Sequence, residues 1–154
     1  MTTVSFVTVF VIRPAPAGAW EFLQILRSPN RYMENTWQLV SGGIEPDEPA
    51  WQAALRELQE ETALRPTEFY TLDHLSIFYI PEQDARCESI NFCAVVSPDA
   101  PVTLNHEHTA HRWIPAHEIE SALMWPGQRL GAREVLSEII ANGPSKPHAR
   151  INLA

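Results

Sequence analysis

Apolar and polar positions along this chain mark out strands first and one well-formed helix in the middle. Val4 to Ile12 (VSFVTVFVI) is dense in β-branched and aromatic residues and stops at Arg13-Pro14, which predicts a buried strand. After a turn at PAPAGA, Trp20 to Leu26 alternates well enough for a second strand and an opening hairpin. Arg27 to Asn35 is polar and reads as a loop. Thr36 to Val40 reads as a short strand stopped by Ser41-Gly42-Gly43. Phe69 to Ile80 and Ser89 to Ser97 are two further strands joined by the charged loop PEQDARCE, and His111 to Ile114 is a last short strand. Ala116 to Met124 and Gln128 to Ala141 carry helical spacing, and the Pro-broken tail PSKPHARINLA reads as peripheral.

The central helix, Pro49 to Thr62, has the clearest periodicity. Trp51, Ala54, Leu55, Leu58 and Thr62 fall on one arc at 100° per residue and form the predicted core face. Glu57, Glu60 and Glu61 gather on roughly the opposite side. The order β-β-β-α-β-β-β-α-α predicts an α/β fold, a mixed sheet with helices on both faces. There is no repeat or linker in the sequence, so residues 1–154 are read as a single domain.

Composition narrows the function classes. A net charge of −8 argues against a protein that wraps nucleic-acid polymers. No run is long enough to span a membrane, and the apolar start lacks a basic flank and a cleavage site, so the expected location is the cytoplasm. Cys87 and Cys93 are too few for a disulfide framework. A small anionic substrate is compatible with this charge if metal ions supply positive charge locally.

Three carboxylates at i, i+3 and i+4 repel one another, and a hard divalent cation that takes oxygen ligands reverses the penalty. The competing reading is a solvated acidic face, with Arg56 four residues before Glu60 supplying a surface pair. Against it stand the absence of balancing lysines and the Gly42-Gly43 pair before the helix, suited to positive φ and close backbone approach. Composition alone does not choose between the two.

Spacing adds a resemblance. Gly42, Glu48, Arg56-Glu57-Leu58, Glu60-Glu61 and Ala63-Leu64, with their gaps, resemble the Nudix box at every fixed position except the last glycine, which is Ala63 here. That glycine lies at the helix end, where it commonly caps, so a local change is expected there. Trp37 to Gly42, and Glu107-His108 followed by His111 to Ile114, resemble a bacterial branch with nucleoside triphosphate and dihydroneopterin triphosphate pyrophosphohydrolases.

The resemblance implies a Nudix α/β/α sandwich and Mg²⁺-dependent (or Mn²⁺-dependent) hydrolysis of a nucleoside or pterin triphosphate to the monophosphate and pyrophosphate. Hydrolysis of another X-linked diphosphate, or a catalytically silent nucleotide-binding module, are the rivals. It also implies that Glu57, Glu60 and Glu61 ligate metal, with Glu60 or Glu61 also as base and Glu107 as a second candidate base or ligand. Glu48 and Arg56 would pair to hold the loop against the helix, while Gly42 and Gly43 approach the metal or phosphates.

Arg13, Arg27, Arg31 and Arg112 are candidate phosphate clamps, Arg27 and Arg31 foremost. Trp125, in a loop beside Pro126-Gly127, is the aromatic best placed to face a pocket. The loop LNHEHTAHRWI also offers a zinc alternative in His106, His108 and His111 with Glu107, although loop histidines are usually solvated or hydrogen-bonded. Partners are then a nucleotide or pterin polyphosphate and, by family habit, a second copy in a homodimer.

Overall fold

In the computed structural model, which describes residues 1–153, one mixed sheet is built around the first strand. The strands are β1 (Thr2–Pro14), β2 (Trp20–Arg27), β3 (Trp37–Gln38), β4 (Val40–Gly43), β5 (Glu68–Ile80), β6 (Ala85–Val95) and β7 (His108–Pro115). The helices are α1 (Ala50–Thr62), α2 (Ile119–Ala122), α3 (Pro126–Glu134), which runs on into a wider π-helical stretch Val135–Ile140, and α4 (Lys146–Ala149). The hydrogen-bonded order is β3-β2-β1-β6-β5, with β4 on β1 and β7 on β2.

One edge of β1 runs parallel to β6 from Thr2↔Ala85 to Ile12↔Val95. Its other edge is divided: Phe6 to Val9 pair with β4, and Ile12 to Pro14 pair with β2. Successive β1 side chains point to opposite faces, and the apolar residues sort accordingly. Val7, Val9 and Val11 pack with Ala53, Ala54 and Leu58 of α1. Phe10 and Ile12 pack on the other face with Ile119, Ala132, Val135 and Ile139. The helices therefore cover both faces, the α/β/α layering expected.

Several details depart from the expectations. The stretch Thr36–Val40 is two strands, because Trp37–Gln38 bond to β2 while Val40 onward switches to β1. Gly42 and Gly43 do not stop it: they pair with Val7 and Phe6, and neither has a positive φ. The reversal falls two residues later, where Glu48 N–H donates to Glu45 O at 3.1 Å and Asp47 takes the left-handed conformation. The charged loop after β5 contracts to one turn at Pro81–Gln83, because Asp84 is left-handed and lets β6 start at Ala85.

The segment 116–124 is a single 3-10 turn followed by the short α2 rather than one helix. The tail is not peripheral. Ile151 N–H donates to Phe69 O at 2.8 Å, Arg150 bridges to Tyr70, and Ile151 packs on the α1-side core.

On α1, Trp51 is 38% exposed and Ala53 takes its place in the core. Alanines at 53 and 54 let the helix lie close to the strands, and an indole would not fit there. Glu61 consequently faces inward, about 60° around the helix from buried Leu58. Ala63 ends the helix by adopting the left-handed conformation itself, φ 60° and ψ 14°, as a glycine would, so the local change expected there is small.

Candidate active site

Carboxylates from two elements meet where α1 passes the start of β7. Glu57 and Glu61 come from the inward side of α1, and Glu107 and His108 from the loop entering β7. Oxygens of Glu61 and Glu107 and a ring nitrogen of His108 all lie within 4.8 Å of one another. His108 Nδ1 is 3.8 Å from Glu61 Oε1. Glu61 is 2% exposed, and its Oε2 and His108 Nδ1 are buried without a hydrogen-bond partner.

Electrostatics follow from that burial. Desolvation, then the charges of Glu57 and Glu107, push the Glu61 carboxyl up to about 9, against a backbone N–H from Ser41 that pulls it down. Desolvation also raises Glu57, although Arg56 pulls the other way, and Glu57 and Glu61 share a hydrogen bond. Burial, then the nearby Arg27, hold His108 down at about 4, so the imidazole is neutral at physiological pH. A buried oxygen without a partner, beside a second carboxylate and a neutral imidazole, belongs to a donor set suited to a divalent cation.

The glycine before the loop makes room for this. A Cβ on Gly42 would sit inside the Glu57 carboxyl group, so the Glu57 head lies directly against the β4 backbone. A Cβ at Gly43 would meet nothing, and Gly43 O accepts a hydrogen bond from Arg56 Nη2 at 2.9 Å.

Arg56 ties the reversal to the helix. Its Nε and Nη2 donate to the two oxygens of Glu48 at 2.8 and 2.9 Å, and its Nη1 donates to Glu57 at 2.8 Å. Glu48 in turn accepts Glu45 N–H at 3.0 Å. Those bonds, the Arg56 fork first, hold the Glu48 carboxyl down at about 2. Glu60 is 54% exposed on its side chain, turned outward with Arg56 at 3.4 Å.

Of the other sequence candidates, Arg27 borders the cluster with Nη1 3.9 Å from Glu107, and the charge of Arg31 reaches His108. Arg13 is bound to Glu21 at 2.8 Å and lies over Trp113, and Arg112 lies over Trp37 and donates to Gln24. Trp125 is 50% exposed at the start of α3, the helix on the opposite face of the sheet from α1. His106 and His111 are exposed and outside the group that contains His108.

The sequence reading attached His108 only to the zinc alternative, and it missed the loop's supports. Ser28 N–H donates to Glu107 O at 2.9 Å, Ser28 Oγ to His106 O at 2.8 Å, and Asn105 Oδ1 accepts Glu107 N–H at 3.0 Å. A serine at a strand end and an asparagine two residues before an acid are local turn signals that would have marked this loop as fixed.

The site thus sits on a mixed sheet between helices, where a carboxylate-bearing helix packs over a close-approaching glycine. A family model of the NUDIX domain matches residues 4–135, and the chain belongs to the Nudix family, which places it among hydrolases acting on diphosphate bonds. It is 32% identical over 111 residues to a Caenorhabditis elegans asymmetrical bis(5'-nucleosyl)-tetraphosphatase, covering 70% of this chain and 74% of that protein. Similarity to the Escherichia coli K12 dihydroneopterin triphosphate diphosphatase is 30% over 106 residues, 60% of this chain and 69% of the relative. A Myxococcus xanthus octanoyltransferase is 36% identical over 109 residues, and there the chain spans only 30% of the relative's length. Among solved structures, a C. elegans Ap4A hydrolase binary complex superposes with a TM-score of 0.74 at 23% identity, over 90% of this chain and 98% of that one. Among the described residues, no helix is long and apolar enough to cross a membrane.

Proposed function

We propose that this chain is a Mg²⁺- or Mn²⁺-dependent pyrophosphohydrolase that cuts a nucleoside or pterin triphosphate into the monophosphate and pyrophosphate. The observation that carries the reading is the convergence of Glu57, Glu61 and Glu107 on one buried cluster with an unpartnered oxygen. When bound there, a divalent ion neutralises phosphate charge and makes a water more acidic. Glu57 and Glu61 would hold such an ion from α1, with Glu60 as a further carboxylate ligand. Glu107, from the loop entering β7, accepts the proton of the attacking water as the new P–O bond forms and the bridging P–O bond breaks. Arg27 and Arg31 draw the polyphosphate to the carboxylate cluster, and Gly42 keeps Glu57 in place, whereas Trp125, on the other face of the sheet, takes no part.

A second reading is supported by the tetraphosphatase relative, which covers most of this chain: the leaving group is a second nucleotide rather than pyrophosphate. The substrate is a small molecule in either case. The free, buried Cys87 and Cys93 suit a reducing cytoplasm.

A Mg²⁺ and Mn²⁺ hydrolysis screen over nucleoside triphosphates, dihydroneopterin triphosphate and dinucleoside polyphosphates, with products identified, tests this. Pyrophosphate release from a triphosphate is expected. Turnover of dinucleoside polyphosphates alone would replace the first reading with the second, and binding without turnover of any substrate would make the chain a silent binding module.

A further inference from the structure

We propose that His108 is itself a metal ligand through Nδ1, and that it tunes the site toward a borderline ion such as Mn²⁺ over Mg²⁺. The inference rests on the metal-dependent reading above and adds to it a nitrogen donor that the glutamate pattern does not contain.

Two buried atoms carry it. His108 has a side chain only 2% exposed, and its Nδ1 has no hydrogen-bond partner. A buried polar atom left unpaired is destabilising, so a fold seldom keeps one without a use. The unpartnered atom is not turned into apolar core: it lies 3.8 Å from Glu61 Oε1, whose other oxygen is also unpartnered. That separation is too long for a good hydrogen bond between them. It does suit one cation, since two donors each about 2.1 Å from an ion lie at most about 4.2 Å apart. The Glu107 oxygen lies within the same 4.8 Å group.

The loop is built to present this ring. Both the carbonyl before Glu107 and the carbonyl of Glu107 itself are anchored by Ser28 of the β2 end, and Asn105 holds the Glu107 N–H. His108 is also the first residue of β7, with its backbone paired opposite Arg27 just past a register irregularity. Backbone anchored on both sides leaves the imidazole little freedom to turn away.

Mg²⁺ is a hard ion that keeps to oxygen ligands, whereas affinity for nitrogen-containing sites rises along the first-row series that begins at Mn²⁺. One nitrogen among carboxylates therefore biases the choice of ion without abolishing Mg²⁺ binding.

Pulsed electron paramagnetic resonance of the untagged full chain loaded with Mn²⁺ reads the proposed bond directly. A ¹⁴N coupling of directly bound imidazole is expected in the wild type, absent in His108→Asn, which keeps a polar side chain of similar reach. Calorimetric titration with each ion should show the Mn²⁺-over-Mg²⁺ affinity ratio falling about tenfold in His108→Asn, with Mg²⁺ affinity nearly unchanged. An ion-loaded wild type without nitrogen coupling would overturn the inference and leave the carboxylate site standing. A coupling that persists in the variant would assign the nitrogen to another histidine and also overturn it. Failure of the wild type to bind either ion would overturn both this inference and the metal-dependent reading. Should His108→Asn not fold, His108→Gln takes its place in the same comparison.

Discussion

Glu48 and Glu61 are the same side chain on one loop-helix unit, yet the fold holds one carboxyl at about 2 and the other at about 9. Glu48 lies on the solvent side and takes both arms of the Arg56 fork. Glu61 lies on the sheet side, two other carboxylates near it and one oxygen unpartnered. The first is an internally satisfied clamp that needs nothing further. The second is a buried acid pushed to keep its proton, with one oxygen that the protein alone leaves unsatisfied. Clamp and cluster meet at Glu57, which receives a bond from Arg56 while its head lies over Gly42 beside Glu61. A set of like residues on one helix can thus divide into scaffold and site through the direction each faces.

The sharpest way to break that contrast is Glu61→Gln. Activity with Mg²⁺ should fall at least ~100-fold while the metal-free protein becomes more heat-stable at pH 8. The sign follows from the acidity shift. Between its ordinary value of 4.5 and about 9 the folded wild type keeps a proton that the unfolded chain has released. Its stability therefore declines as pH rises through that window. Melting temperatures from pH 5 to 9 without metal should slope downward for the wild type and much less for the variant; a flat wild-type profile would refute the buried-acid picture.

Gly42→Ala is the next largest change. The atom it meets is the end of a flexible side chain, so the fold should survive while Glu57 is pushed aside. Metal affinity by titration should drop about tenfold with an unchanged circular dichroism spectrum.

Arg56→Lys tests the clamp, because a point charge cannot make the two-armed contact with Glu48 while also reaching Gly43 and Glu57. A melting temperature lower by several degrees is expected at pH 7. The deficit should shrink as pH falls toward about 2, where Glu48 takes up its proton and the wild type loses the same bonds. The smallest effect is Ala63→Gly, which relieves a left-handed alanine and should stabilise by up to about 1 kcal/mol in denaturant titration without altering metal binding.

Much of this was legible in the chain itself. The β1 run, the alternation of β2 and the box spacing are local, and local signals specify element type well. The inward turn of Glu61 was not, because it depends on Ala53 and Ala54 bringing the helix close enough to cover a wider arc than the apolar residues alone describe. Reading the paired glycines as a turn failed for a related reason. Gly42 is small to admit a side chain from another element, a tertiary demand that looks identical in sequence to a demand for backbone freedom. His108 was not separable from His106 and His111 in the zinc alternative, because a strand's first residue, next to a bulge, does not share the phase of the residues that follow.

The pairing of the C-terminal tail with β5 bears on how this molecule behaves in a crowd. β5 ends the sheet, and an uncovered border strand is a template on which another chain can zip up. Arg150 and Ile151 cover it at Tyr70 and Phe69, and the Glu134 carboxylate takes the N–H groups of Asp73 and His74. Beyond that point Leu75, Ile77, Phe78 and Tyr79 stand exposed. Shortening the tail would lengthen the bare border toward the sheet's interior end, so the last few residues act as a guard on colloidal behaviour as much as a part of the packing.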